Sequence, residues 1–154
     1  MPDISYLEGL PRERRVTSLA MAGNQGAYGG VLVKFAMWSG STETFAIISG
    51  PATALLQACL KTMHAGRLPP LSETEHAALL AKMPQIHDYD WNLFKEEGRI
   101  VLMPKILAGM DGLAIEFEMQ NHHPRRYFLP TPVARFMGEY LTEYRACFEH
   151  HKNS

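Results

Sequence analysis

Residues 30–37 have the sequence GVLVKFAM, and residues 112–119 have the sequence GLAIEFEM. Each stretch opens with glycine and then places an apolar residue at every second position. Alternation with a period of two is typical of a β-strand that buries one of its two faces. The shared pattern therefore predicts two equivalent strands, and the search for further similarity starts from them.

The similarity continues on both sides of the two strands. A short polar segment and a second apolar strand follow each one, at 39–48 and at 121–129, which predicts two β-hairpins. A proline then marks the start of a helix, since proline suits the first helical turn. One side of each helix is apolar, and the spacing matches Leu55, Leu56, Cys59, Leu60 and Met63 to Phe136, Met137, Tyr140, Leu141 and Tyr144. A further strand is expected upstream of each hairpin, at 15–21 and 99–103.

These segments predict a single α+β domain over residues 1–154, built as a tandem of pseudo-twofold β-β-β-α repeats. The first repeat covers about 15–66, the second about 99–150, and two amphipathic helices cover the antiparallel sheet or sheets. Residues 67–98 form a linker that contains a short helix. Ser72 and Glu75 form the sequence signature of a capping box at its start, and the helix is expected to run to about Met83.

Composition excludes several functional classes. The chain has 15 Lys and Arg against 16 Asp and Glu, so it is neither a strongly basic nucleic-acid binder nor an acidic nucleic-acid mimic. Its two cysteines, Cys59 and Cys147, form no C-x-x-C pair, which predicts reduced thiols. We find neither a leader peptide nor an apolar run long enough for a membrane span, and we expect a cytoplasmic protein of bacterial or phage origin.

The two predicted strands differ on their other face, which suggests a function. The alternate positions of the second strand include Glu116 and Glu118 and are typical of a solvated face, whereas those of the first strand include Leu32 and, just beyond it, Trp38. Either the linker helix covers this apolar face, or it is an exposed patch for a partner. We expect a non-catalytic binding protein that regulates or inhibits a protein partner through this face and the glycine-rich loop 23–30. The candidate partner-binding residues are Asn24, Gln25, Tyr28, Leu32 and Trp38.

Two alternatives remain open. The duplicated topology resembles that of the PUR-repeat and Whirly single-strand binders, which would give Arg15, Arg125 and Arg126 the role of contacting a nucleic-acid backbone. A metal-dependent hydrolase would use the segment from His87 to Asp90: if it is extended, Asp88 and Asp90 point to the same side, with His87 beside them. No motif for a catalytic nucleophile occurs, so we expect no catalytic residue and no cofactor, in a monomer or a homodimer.

Overall fold

The computed structural model describes residues 9–24, 29–96, 100–109, 111–120 and 122–149, and it has an α+β fold. The described residues contain six strands and three α-helices. The first half contains β1 (Val16–Gly23), β2 (Val31–Met37), β3 (Thr42–Ile47) and α1 (Ser49–His64). The linker contains α2 (Glu73–Ala81) and a 3₁₀ helix (Asp88–Lys95). The second half contains β4 (Ile100–Ala108), β5 (Gly112–Met119), β6 (Arg125–Pro130) and α3 (Thr131–Glu143). The element order within each half is therefore the expected one.

All six strands belong to one sheet, in the order β1-β2-β3-β4-β5-β6. The hairpin neighbours are antiparallel, but β3 and β4 are parallel and pair only at Ala46 with Ile100 and at Ile47 with Val101. A single parallel bridge between Arg15 and Phe128 joins the two outer edges of the sheet. The sheet therefore curls until its first and last strands touch. The sheet is therefore mostly antiparallel, as expected, and parallel pairing at these two places is the departure from the prediction.

The pairing register of the first half returns in the second half with a spacing of 82 residues. Val33 pairs with Phe45 and Ile115 pairs with Tyr127, and the neighbouring pairs follow the same rule. Four of the five buried residues of α1 also coincide with buried residues of α3 at this spacing. They are Ala52, Leu55, Leu56 and Cys59, against Ala134, Met137, Gly138 and Leu141. The residue pairs that the sequence predicted between the two helices, such as Leu55 with Phe136, are therefore wrong by one residue.

The core lies inside the curled sheet. All the alternating apolar residues of β2 and β5 that the sequence predicts to be buried are buried. At its centre the rings of Phe35, Phe45, Phe117 and Tyr127 pack with centroids 4.9–6.1 Å apart. Helices α1 and α3 contact each other, and they also contact β4 and β1 respectively, the strands that begin the opposite halves. Helix α1 thus packs near the parallel junction of β3 and β4, and α3 packs near that of β1 and β6. At both junctions the two strands share few hydrogen bonds.

The linker covers the outer face of the first half. Ser18 Oγ donates a hydrogen bond of 2.6 Å to the Leu79 carbonyl oxygen on α2. Lys34 Nζ lies 3.1 Å from Asp90 Oδ2 of the 3₁₀ helix, and both side chains are buried. The capping box of Ser72 and Glu75 is present at the start of α2. Leu32 has no exposed surface, so the alternative of an exposed apolar patch does not hold at this residue.

Candidate functional site

Five arginines meet at the end of the sheet that is remote from the starts of α1 and α3. Arg12 and Arg14 lie in a 3₁₀ turn (Arg12–Arg14) that leads into β1. The bridge between Arg15 and Phe128 sets this segment beside the beginning of β6, where Arg125 and Arg126 lie. Arg14 Nε donates a hydrogen bond of 2.8 Å to the Arg126 carbonyl oxygen. We call the cluster Arg12, Arg14, Arg15, Arg125 and Arg126 the arginine end.

Three of these guanidinium groups lie over aromatic rings. The Cζ atom of Arg12 is 5.4 Å from the ring centroid of Trp38, and that of Arg15 is 5.6 Å from the centroid of Phe128. The Cζ atom of Arg14 is 4.6 Å from the centroid of Tyr127. A cation over an aromatic face is attracted by the ring quadrupole, so these contacts orient the guanidinium groups. Trp38 is 53% exposed, so a large apolar side chain is accessible at the arginine end.

The Glu43 carboxylate holds the cluster together from inside. It accepts hydrogen bonds from Tyr127 Oη, from Arg125 Nη1 at 3.0 Å and from Arg14 Nη1 at 3.3 Å. Burial, together with the hydrogen bond to Glu43 and the negative charge of that carboxylate, raises the pKa of the Tyr127 hydroxyl well above its usual value. The phenol therefore stays protonated and donates to Glu43, which ties the first half of the chain to the second.

A cleft of about 550 Å³ opens at this end. Its lining consists of Leu10, Pro11, Arg14, Glu43, Pro124, Arg125 and Arg126. Arg126 Nε lies 3.4 Å from Glu116 Oε1, so two carboxylates, Glu43 and Glu116, offset part of the positive charge. Guanidinium groups form charge-assisted hydrogen bonds with carboxylates and phosphates. The donor set of this cleft can therefore hold an anionic group.

The predicted partner-binding residues do not form one surface. Leu32 has no exposed surface and so offers nothing to a partner in this conformation, which corrects its assignment. Asn24 is half-buried, and its Nδ2 atom donates to the Gly29 carbonyl oxygen at 3.0 Å. It follows β1, whereas Trp38 follows β2 at the opposite end of the hairpin. Gln25 and Tyr28 lie outside the described residues.

The geometry assumed for the metal alternative is wrong. Asp88 and Asp90 lie in a 3₁₀ helix, not in an extended segment, so that Asp88 is exposed while Asp90 is buried. The Asp90 carboxylate bonds to Lys34 and accepts a hydrogen bond from the His87 backbone N–H at 2.8 Å. His87 stacks on Tyr89. Within the described ranges, no group of three or more His, Cys, Asp or Glu side chains is placed to hold a metal ion.

The three arginines of the nucleic-acid alternative do converge, and Trp38 from the leading hypothesis lies beside them. The sequence analysis missed Glu43, which organises the cluster. One signal for it was present, because Glu43 and Arg125 occupy corresponding places in the two hairpins and carry opposite charges. In the structure these two side chains meet, with Arg125 Nη1 3.0 Å from Glu43 Oε1.

Comparison with known proteins adds no assignment. No family, no curated protein and no solved structure matches the chain. In the part of the chain that the structure describes, none of the helices is long and apolar enough to cross a membrane.

Proposed function

We propose that this protein is a non-catalytic binding protein that regulates or inhibits a protein partner, and that the arginine end makes the contact. The observation that carries the proposal is the exposed ring of Trp38 under the Arg12 guanidinium, next to four further arginines. Tryptophan and arginine are enriched among the residues that dominate binding energy at protein interfaces. The proposal keeps Trp38 from the sequence analysis and replaces Leu32 by the arginines.

Substitution of Trp38 tests this proposal. The protein and its Trp38→Ala variant are used to capture partners from the native host, and the captured proteins are identified by mass spectrometry. We expect one protein to be lost with Trp38→Ala while the melting temperature changes little, because half of the side chain already lies in water. Leu80→Ala is the matched control, since Leu80 is a similarly exposed apolar residue on α2. Equal capture by all three proteins contradicts the proposal.

Single-stranded nucleic acid is the second candidate ligand. The convergence of Arg15, Arg125 and Arg126 beside Trp38 and Phe128 supports it, because arginines can follow a phosphate backbone while bases stack on aromatic rings. A binder of this kind shifts a labelled oligothymidylate in a gel at low salt, and the shift weakens as salt rises. The Arg125→Gln/Arg126→Gln variant should lose the shift. Binding that is indifferent to salt contradicts this candidate.

We also infer that residues 15–66 and 99–150 are two copies of one β-β-β-α unit. The common spacing of 82 residues in the hairpin register and in helix burial supports this inference. A second observation that supports it is a shift of strand register at the same place in both halves. The β1–β2 ladder shifts register between Val16 and Ser18, and the β4–β5 ladder between Val101 and Met103. Corresponding positions should therefore respond alike to the same substitution, as measured by the free energy of unfolding.

A further inference from the structure

We propose that the cleft at the arginine end takes an extended, acidic stretch of the partner polypeptide, a statement that rests on the proposed function and names the chemistry of the partner. Carboxylates of this stretch would pair with Arg125 and Arg126, and its apolar side chains would lie on Pro11 and Pro124. Arginine forks bind carboxylates in a bidentate manner, which gives such a contact direction as well as charge.

The charge of the cleft favours an anionic partner. Three of its lining residues, Arg14, Arg125 and Arg126, are cationic, and Glu43 is the one acidic residue among them. Arg125 directs Nη1 to Glu43, yet 41% of its side chain is exposed, and Arg126 is exposed to a similar extent. A guanidinium group has five N–H donors, so Arg125 can serve Glu43 and a second carboxylate together.

The arginines are already held in position, which lowers the cost of binding. Arg14 is fixed by its bonds to the Arg126 carbonyl and to Glu43 and by its contact with the Tyr127 ring. Only part of its side chain remains accessible. Ordering a long side chain on binding costs conformational entropy, and a side chain that is ordered beforehand avoids this cost.

The walls of the cleft favour a polypeptide over a nucleic acid. Leu10, Pro11 and Pro124 are aliphatic and offer no ring on which a base can stack. The aromatic residues Trp38 and Phe128 do not line this cleft.

Fluorescence polarisation tests the inference with a labelled eight-residue peptide, Glu-Glu-Leu-Asp-Glu-Leu-Glu-Glu. Two further probes are the same peptide with Gln and Asn in place of its acids, and a labelled twelve-nucleotide oligothymidylate. We expect saturable binding of the acidic peptide below about 1 mM and no binding of its amide version. Arg126→Gln should weaken binding about tenfold, the effect of losing one hydrogen bond to a charged group. Arg67→Gln, which changes an exposed arginine outside the arginine end, should leave it within about twofold.

Each outcome decides the matter. Failure of the acidic peptide to bind, while the Trp38-dependent partner is still captured, overturns this inference and leaves the proposed function standing. Binding of the oligothymidylate in preference to the peptide overturns it in favour of nucleic acid. Equal weakening by Arg126→Gln and Arg67→Gln, with both variants folded by circular dichroism, also overturns it, since the binding then comes from general charge.

Discussion

Gly30 opens strand β2 with a φ of 103°, and replacing it by alanine should be strongly destabilising. A residue other than glycine at such a φ costs about 1–3 kcal/mol. The added Cβ would also lie far inside van der Waals contact distance of the Ile47 carbonyl oxygen and 3.0 Å from Ile48 Cα, and these backbone atoms can yield only if the sheet moves. Forcing atoms into a packed region costs about 1–3 kcal/mol more. We therefore expect a loss of about 4 kcal/mol for Gly30→Ala.

Gly112 begins β5 in the same way, with a φ of 149° and with the Leu129 carbonyl oxygen at the place of a Cβ. Gly112→Ala should therefore lose a similar amount of stability. Gly40→Ala is the control, because Gly40 has a φ of 93° but no atom within 4 Å of an added Cβ. It isolates the backbone cost of about 1–3 kcal/mol.

Thermal unfolding followed by circular dichroism measures these losses. A loss of 4 kcal/mol lowers Tm by roughly 10 °C in a chain of this size, so Gly30→Ala and Gly112→Ala should melt well below Gly40→Ala. If all three variants melt at the same temperature, the close approach of the carbonyl oxygen is not what requires glycine. If only one of the two strand glycines is sensitive, the two hairpins are not equivalent and the inference of a repeat fails.

Three further substitutions test other parts of the structure. Lys34→Met should cost about 3 kcal/mol in urea unfolding because it leaves Asp90 charged and buried, and Lys34→Met/Asp90→Leu should recover most of this loss. Burial raises the pKa of the Cys59 thiol to about 12. The contribution of the protonated thiol to the free energy of unfolding is complete below the pKa of the unfolded thiol, and it is lost as pH rises above about 9. From pH 9 to 10 the free energy of unfolding of the protein should therefore fall by about 1 kcal/mol more than that of its Cys59→Ala variant. Glu43→Ala should cost about 1–3 kcal/mol because the buried Tyr127 hydroxyl loses its acceptor, and an unchanged urea midpoint would contradict the role of Glu43.

The local elements of the fold could be predicted from the sequence, because burial of one face leaves a period in the chain. The alternation of 30–37 and 112–119 identified β2 and β5, and the capping box identified the start of α2. The parallel junction of β3 and β4 could not be predicted in this way. It involves two residue pairs from strands separated by a helix and the linker, and parallel pairing leaves no signature in either strand alone.

The candidate site was predictable only in part, and for the same reason. Arg15, Arg125 and Arg126 were singled out as basic residues, but their meeting point depends on the bridge between Arg15 and Phe128, which joins distant parts of the chain. Leu32 was misassigned because an apolar residue on the second face of a strand has the same sequence signature whether a linker or a partner covers it.

The ion pair between Glu43 and Arg125 has a consequence for how the halves recognise each other. In an assembly of two identical β-β-β-α chains, this place would hold either two acids or two bases, which repel. A single chain that carries an acid at 43 and a base at 125 removes that repulsion. It does so only where a first half meets a second half. Either half by itself would therefore present a like charge to a second copy of itself, which disfavours the pairing of two identical halves.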